Sequence, residues 1–324
     1  MNVRPGTRAP PRPSMETREP RTLPLLPAAA LALCALAAAL PRAALAQPAS
    51  ASQAAPPRPS APPWSDADPR IAADVRAGRP LVIAVVVPLC DGALIDCGSR
   101  PAGRPGDLDT NLYWGAIFGH RRFFDRPNSG WERVERTPGA GPPSPLLERL
   151  VYRRVVSRGP WGAAADEPLE QILVLQAVHG AAIDSAVERF WSAATRGGEV
   201  LFRDGDRERI ERIHVAGYAG HNRLMDRSAA PLPEPGGAPI PSFVMACSSE
   251  AHFDAPLRRA GSVPLLLTRT LMAPEGYVVD AIARALGDNA PLAGVRARAI
   301  EAYAAWQRLP AREAARTFAK AYFR

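Results

Sequence analysis

Two side chains of complementary reactivity, an imidazole and a thiol, each follow an apolar segment that predicts a β-strand. His221 ends the segment IHVAGYAGH, and Cys247 ends the segment FVMAC. A thiol becomes a strong nucleophile at neutral pH when a neighbouring base accepts its proton. Parallel neighbouring strands would bring both side chains to the same edge of a sheet. The pattern therefore favours nucleophilic catalysis, with Cys247 as nucleophile and His221 as general base.

Backbone amides beside these residues provide a second part of such a site. The amides of Asn222 and Ser248 directly follow the two side chains, where they would face the oxyanion of an acyl-transfer reaction. Two other interpretations stay open. Cys247 also fits a small buried hydrophobe, and His179, which ends the apolar segment QILVLQAVH, is an alternative base. The sequence contains neither a G-x-S-x-G elbow nor a phosphate-binding loop of the common types.

Four more residues are candidates for lining a pocket. Asp91 follows the apolar run Leu81–Val87, and Asn111, Tyr113 and Trp114 lie in the string DTNLYWGA. A simpler interpretation of the last three is a capped amphipathic helix with an aromatic core face. In that interpretation the aspartate that opens the string caps a helix over residues 112–124. The histidine at position 120, beside two arginines, is then expected to be solvated.

The cysteines indicate one disulfide and one free thiol. Of the four, Cys34 lies near the N-terminus in an apolar segment, and Cys90 and Cys97 are separated by six residues in a loop-like stretch. Thiols tend to pair in an oxidising compartment, and these two are close enough to bridge each other. Cys247 is then unpaired and a candidate reactive thiol.

Histidines supply the other chemical option, a metal site. His214, His221 and His252, with Cys247, offer nitrogen and sulfur ligands. None shows the i,i+4 or C-x-x-C spacing that makes a metal motif specific. We therefore predict no metal and no cofactor.

Residues 1–46 are typical of a secretory signal peptide. Arg18 and Arg21 precede the apolar run Leu23–Leu40, and Ala44-Leu45-Ala46 provides a small-residue cleavage pattern. A retained membrane anchor and a lipoprotein are the alternatives. Residues 47–66 are rich in Pro, Ala and Ser and predict an extended linker, which leaves residues 67–324 as a single domain. The protein is expected to be exported, periplasmic or secreted, with no stable membrane span after cleavage.

Composition excludes some classes of partner. The chain has 324 residues and a formal charge of +8, and residues 1–46 contribute six arginines against two glutamates. The rest then holds 34 basic and 30 acidic residues, a charge of +4. That excess is small, and no basic stripe with interleaved aromatic residues is present, so we expect a peptide or protein partner and no nucleic acid.

Strand and helix patterns alternate along the domain. The apolar runs predict strands, and recurring apolar residues at helical spacing predict helices between and after them. This alternation favours an α/β fold with a mainly parallel sheet flanked by helices. The predicted strands cover residues 81–87, 149–156, 171–178, 212–218, 242–246 and 263–267, and the predicted helices include 183–191, 252–260, 274–286, 292–307 and 311–322.

The order of these motifs resembles that of the caspase-like cysteine peptidases, a group that includes caspases, legumains, separases and CHAT domains. His221 ends one strand and Ala246-Cys247 the next, followed by a helix, an Ala-Gly turn and another apolar strand. The resemblance covers about residues 210–286 and, loosely, the strand Leu81–Val87. It implies a three-layer sandwich with His221 as base and Cys247 as nucleophile. The chain departs from the group at Asn222, where glycine is usual.

Three strings also resemble motifs of an uncharacterised family of exported bacterial proteins: NLYWGA within residues 109–116, GHN at 220–222, and LMAPE at 271–275. That resemblance supports one domain from about residue 80 to 290 and implies no activity. Two functions follow as expectations. One is an exported, peptidase-like cysteine hydrolase, and the other is a catalytically inactive caspase-like domain that binds a partner at the same sheet edge.

Overall fold

A seven-stranded sheet organises the protein, which is seen in a computed structural model that describes residues 61–226 and 237–320. Most of the predicted linker and all of the predicted signal peptide lie outside these residues. The strands, numbered along the chain, are β1 (Leu81–Pro88), β2 (Glu132–Pro138), β3 (Leu146–Ser157), β4 (Pro168–Val178), β5 (Glu199–Asp204), β6 (Arg207–Arg212), β7 (Val215–Ala219), β8 (Ser242–Met245) and β9 (Pro264–Leu266). Strands β5 and β6 form a separate hairpin.

The order across the central sheet is β2-β3-β4-β1-β7-β8-β9. Strands β4, β1, β7, β8 and β9 run parallel, whereas β3 pairs antiparallel with β4 and β2 antiparallel with β3. Among the five parallel strands the chain order is 2-1-3-4-5, which is a doubly wound arrangement. Ligands of such sheets bind beyond the carboxyl ends of the strands. The loops that follow β7 and β8 lie at that end of the sheet.

Helices cover both faces of the sheet. They are α1 (Pro69–Arg76), α2 (His120–Phe124), α3 (Ile183–Arg196), α4 (Ser249–Arg259), α5 (Gly276–Gly287), α6 (Leu292–Gln307) and α7 (Ala311–Thr317). Helices α3 and α4 pack on one face, and the apolar residues of the other five join the core on the opposite face. The α/β class with a mainly parallel sheet flanked by helices is confirmed, and the layers form a three-layer sandwich.

Strand β1 shows why this arrangement forms. Every residue of LVIAVVVP is buried. The residues at 81, 83, 85 and 87 contact the core under α5 and α6, whereas those at 82, 84 and 86 contact the core under α3 and α4. A β-branched run suits a strand buried on both faces. Each large side chain buried there contributes about 1.5–3 kcal/mol.

The segment before α2 differs from the sequence expectation. Only His120–Phe124 is helical, so the predicted helix over 112–124 is largely wrong. Turns replace it: Oδ1 of Asn111 accepts the amides of both Cys90 and Tyr113, and the turn is so tight that a side chain at Gly115 would lie 2.2 Å from the Asp109 carbonyl oxygen. His120 is 0% exposed, so its expected solvation is also wrong. Its Nδ1 bonds the Tyr113 carbonyl oxygen at 2.8 Å.

Three other segments extend or shift the expected elements. Trp64, within the predicted linker, is fully buried and donates from Nε1 to the Leu286 carbonyl at 2.9 Å. Strand β2 lies outside the strands predicted from the sequence. Helix α7 ends at Thr317, short of the predicted residue 322, and the last four residues lie outside the described range. Among the described residues, no helix has the length and apolar character needed to cross a bilayer.

Candidate functional site

His221 and Cys247 lie at the same edge of the sheet. Strands β7 and β8 are parallel neighbours, with Ala219 opposite Met245, and each side chain follows two residues beyond its strand. Between Ala219 and His221, Gly220 donates its amide to the Met245 carbonyl at 3.1 Å. A side chain at Gly220 would lie 2.5 Å from Cγ of Pro88, at the end of β1, so only glycine fits this turn.

Asn222 ties the two loops together. It is 0% exposed, and its Nδ2 donates to the Cys247 carbonyl oxygen at 2.6 Å. Its Oδ1 accepts the amide of Leu224 at 3.0 Å, which starts a short 3-10 turn over Arg223–Met225. The spacing of the two loops is therefore set by an amide side chain and a main-chain carbonyl, without participation of the imidazole or the thiol.

Two buried hydroxyl groups hold the loop that carries Cys247. Ser249, the first residue of α4, and Thr268, after β9, are both 0% exposed. Their oxygens lie 3.1 Å apart, and the Ser249 hydroxyl also donates to the Val244 carbonyl at 2.8 Å. Thr268 donates its hydroxyl to the Ala246 carbonyl. The two hydroxyl groups thus hold the main chain on both sides of Met245, at the carbonyls of Val244 and Ala246.

The amides at the start of α4 are occupied. Ser248 donates to the Thr270 carbonyl at 3.0 Å, Ser249 to Thr268 Oγ1 at 3.2 Å, and Glu250 to the Thr268 carbonyl at 2.9 Å. The expected oxyanion role of the Ser248 amide is therefore not supported, because that amide already has an acceptor. Ser248 also adopts the left-handed conformation, with φ 49°. The amides of Asn222 and Cys247 have no acceptor among the described residues.

A carboxylate holds the imidazole of His221. Its Nε2 lies 3.0 Å from Oδ2 of Asp226, and the ring is 13% exposed. Burial opposes ionisation of Asp226, but hydrogen bonds from His221 and Arg223 outweigh it and lower the pKa of this carboxyl. An ionised carboxylate only accepts hydrogen bonds, so Nε2 donates to Asp226, and in a neutral ring the lone pair then lies on Nδ1. Arg223 extends the chain of charges to Asp184, at 2.8 Å.

The thiol of Cys247 has a different partner. Cys247 is a free cysteine that is partly exposed, and its Sγ accepts the amide of Met272 at 3.4 Å and lies 3.7 Å from the Met272 carbonyl oxygen. The hydrogen bonds of the described residues include none between Sγ and the His221 ring. The two groups share a sheet edge without a hydrogen bond between them.

Two tyrosines, Tyr113 and Tyr303, interact electrostatically with Cys247, and each also interacts with the carboxylate of Glu275. Burial raises the pKa of Tyr113, and the charges of Cys247 and Glu275 raise it further. Burial also raises the pKa of Tyr303, whose hydroxyl accepts the amide of Ala273 at 3.2 Å. Glu275 is 7% exposed, and burial raises its pKa despite hydrogen bonds to its carboxylate. No basic side chain among the described residues pairs with Glu275.

The other candidate pocket residues lie elsewhere. Asp91 accepts the amide of Ala93 at 2.9 Å. Asn111 is fully buried, accepts the amide of Cys90 at 3.0 Å and donates to its carbonyl at 2.8 Å. Trp114 is fully buried and donates to Glu148 at 2.7 Å. A pocket-lining role is therefore wrong for Asn111 and Trp114, which are structural, and of the four only Tyr113 lies near the thiol.

The predicted disulfide is present. Cys90 and Cys97 are bonded, with their Cα atoms 6.2 Å apart, in the loop that follows β1. The candidate metal ligands do not assemble, since no group of three or more His, Cys, Asp or Glu residues able to hold an ion occurs in the described part of the chain. His214 is buried, accepts the Val82 amide at Nδ1 and lies 3.3 Å from Asp74 at Nε2. His179 accepts the amide of Ala181 at 3.3 Å.

Sequence reasoning missed several residues of the site. Asp226 follows His221 by five residues, and a carboxylate so soon after a candidate base is a usable signal. Glu275 lies within the LMAPE string, but nothing in that string indicated its electrostatic interaction with Tyr113 and Tyr303. Tyr303 has no signal, because helical periodicity places it simply in the core. Protein-family models, curated proteins and solved structures contain no match to this chain.

Proposed function

We propose that the protein is an exported cysteine hydrolase, peptidase-like in its chemistry, with Cys247 as nucleophile and His221 as general base. The observation that carries the proposal is their position, two residues beyond the ends of two neighbouring parallel strands. Asp226 supports it by holding the imidazole in the tautomer that a base requires. The resemblance to caspase-like peptidases agrees with this assignment. Export is favoured by the disulfide, since such bonds persist in oxidising compartments.

The proposed reaction begins with transfer of the Cys247 proton to Nδ1 of His221. The sulfur then bonds to the substrate carbonyl carbon, and the carbonyl electron pair moves to oxygen. The amides of Asn222 and Cys247 are the donors available to that oxyanion. As the tetrahedral intermediate collapses, the leaving group takes the proton from His221. Water, deprotonated by His221, then cleaves the thioester and restores the thiol.

This sequence requires the thiol and the ring to approach each other. Sγ must leave the Met272 amide and reach hydrogen-bond distance of Nδ1. Catalytic hydrogen bonds often tighten only when substrate binds, so the longer separation is compatible with the proposed reaction. Helix α4 begins at Ser249, two residues after Cys247.

The test is the rate of alkylation of residues 47–324 by iodoacetamide between pH 5 and 9. Because Cys90 and Cys97 are bonded, Cys247 is the thiol that reacts in the oxidised protein. We expect a fast reaction at about pH 6, well below the pH of about 8.5 at which an ordinary thiol is half ionised. His221→Ala should remove this low-pH reactivity. His179→Ala is the matched control, and it also tests the alternative base.

One observation favours a second function, a catalytically inactive binding module. The thiol is bound by the Met272 amide and not by the imidazole, and a binding module needs no activated thiol. This alternative predicts an ordinary alkylation profile that His221→Ala leaves unchanged. That result would refute the hydrolase proposal and direct the search to peptide or protein partners of the same sheet edge.

A further inference from the structure

A cavity of about 980 Å³ lies between α2, β2 and the end of α6, and it is lined by five arginines. They are Arg121, Arg122, Arg126, Arg133 and Arg136. The exposed ring of Trp306 forms part of the wall. Cavities of 300–1,000 Å³ are the size that accepts small molecules. None of the candidate hydrolase residues lines this cavity.

Three of the five arginines are neutralised by carboxylates. Arg121 pairs with Asp109 at 2.7 Å, and Arg133 pairs with Asp125 at 2.7 Å. Arg136 lies 2.5 Å from Glu148, a buried carboxylate beneath the cavity. The carboxylates of Asp109, Asp125 and Glu148 are therefore each paired with an arginine.

The remaining two arginines have no acidic partner among the described residues. Arg122 is exposed, and none of the hydrogen bonds or ion pairs of the described chain involves its guanidinium. Arg126 donates to the carbonyl of Ile117 at 2.5 Å, which leaves its other N–H groups unused. Two positive charges therefore face the cavity uncompensated.

Aromatic rings hold Arg126 in place. Its Cζ lies 4.7 Å from the ring centre of Phe123, 5.2 Å from that of Trp306 and 5.7 Å from that of Phe118. Cation–π contacts of this kind fix the guanidinium before a ligand arrives. Trp306 stacks on Tyr277 and keeps 42% of its surface exposed beside the charge of Arg126. Preorganised cations reduce the ordering cost of binding.

We propose that this cavity binds a small anion with at least two negative charges, carried by phosphate groups or by paired carboxylates, beside Trp306. Two guanidinium groups match two negative charges, and their planar N–H donors suit the oxygens of phosphate or carboxylate. The site is separate from the thiol, so binding is expected to be unaffected by Cys247→Ala.

The experiment is calorimetric titration of residues 47–324 with pyrophosphate and, separately, with citrate, at about 0.15 M ionic strength so that exposed charges are screened. We expect saturable binding of at least one anion. Tighter binding of pyrophosphate assigns the site to phosphorylated ligands, and tighter binding of citrate assigns it to polycarboxylates. Trp306→Phe tests whether the anion lies beside this ring. If it does, the change in tryptophan fluorescence on anion binding should be smaller in the variant than in the wild type.

Three variants make the test specific. Arg122→Gln changes a side chain without structural contacts, so it should fold normally and weaken binding about tenfold, as loss of one charge-assisted bond would. Arg126→Gln should weaken binding at least as much. Arg259→Gln, an exposed residue of α4 on the opposite face of the sheet, is the control and should change affinity less than twofold. Absence of saturable binding, or equal affinity in Arg122→Gln and the control, would overturn the proposal.

Discussion

Replacing Asn222 with alanine should separate the two loops that carry His221 and Cys247. The amide donates to the Cys247 carbonyl at 2.6 Å and accepts the Leu224 amide at 3.0 Å, and the residue is 0% exposed. Its removal leaves one acceptor and one donor largely shielded from water, at about 1–1.5 kcal/mol each. We expect a loss of about 2–3 kcal/mol in the free energy of unfolding, which corresponds to about 5–10 °C in melting temperature for a domain of this size.

The assay is urea denaturation of residues 47–324 under oxidising conditions. Asn128→Ala is the matched control, because Asn128 is an exposed loop residue whose side chain makes no hydrogen bond in the described structure. It should change stability by less than about 0.5 kcal/mol. Equal stability of the Asn222 and Asn128 variants would refute the reasoning, since it would mean that Asn222 does not hold the loops.

Asn222→Asp provides a sharper form of the same test. The aspartate keeps the shape but places an oxygen against the Cys247 carbonyl oxygen, where the amide had donated. The ionised form is disfavoured there, so the folded pKa of the new carboxyl should lie above the unfolded value of about 3.9. The stability deficit should therefore grow as pH rises above about 4 and shrink below it, because the protonated acid restores a donor. A deficit independent of pH would contradict this account.

Three further predictions concern the rest of the domain. Replacing Cys90 and Cys97 by serine should cost about 2.5 kcal/mol of unfolding free energy, the chain-entropy value for so short a loop, measured by urea denaturation beside the oxidised wild type. Burial lowers the pKa of His120, and likewise of His214, to about 4. Both bind protons more readily unfolded, so stability should fall between about pH 6.5 and 4, by up to about 3 kcal/mol each, and a flat profile would contradict the burial argument. Trp64→Ala should cost about 3–5 kcal/mol, and a smaller loss would place Trp64 outside the cooperative unit.

The parts of the fold that sequence predicts well are those with strong local patterns. The LVIAVVV run predicts β1, because only a strand buried on both faces accepts such a sequence. Helix α6 has the predicted bounds, Leu292–Gln307. The strand expected over 212–218 instead spans the end of β6 and most of β7, which are separate elements. The break falls at His214, whose amide donates to the Val82 carbonyl on another strand.

In the candidate site, too, local patterns predict some features and not others. Strand ends predict that His221 and Cys247 share an edge, because a parallel sheet places all its carboxyl ends together. The partners of Ser248 and Cys247 come from residues about twenty positions later, Thr270 and Met272, and no local pattern encodes such contacts. The prediction that Asn111 lines a pocket is wrong for a related reason. Its hydrogen-bond partner is the main chain of Cys90, which is remote from it in the sequence.

The groups that position the thiol are chemically independent of it. Asn222 donates a hydrogen bond to the main-chain carbonyl of Cys247, and the hydroxyl groups of Ser249 and Thr268 hydrogen-bond the turn beside it. Cys247→Ala should therefore leave both loops in place, and under the proposed hydrolase function this variant would hold substrate without cleaving it. The same independence bears on evolution. Under the proposed hydrolase function, loss of the Cys247 thiol alone would leave a binding protein whose two loops are still held by these groups.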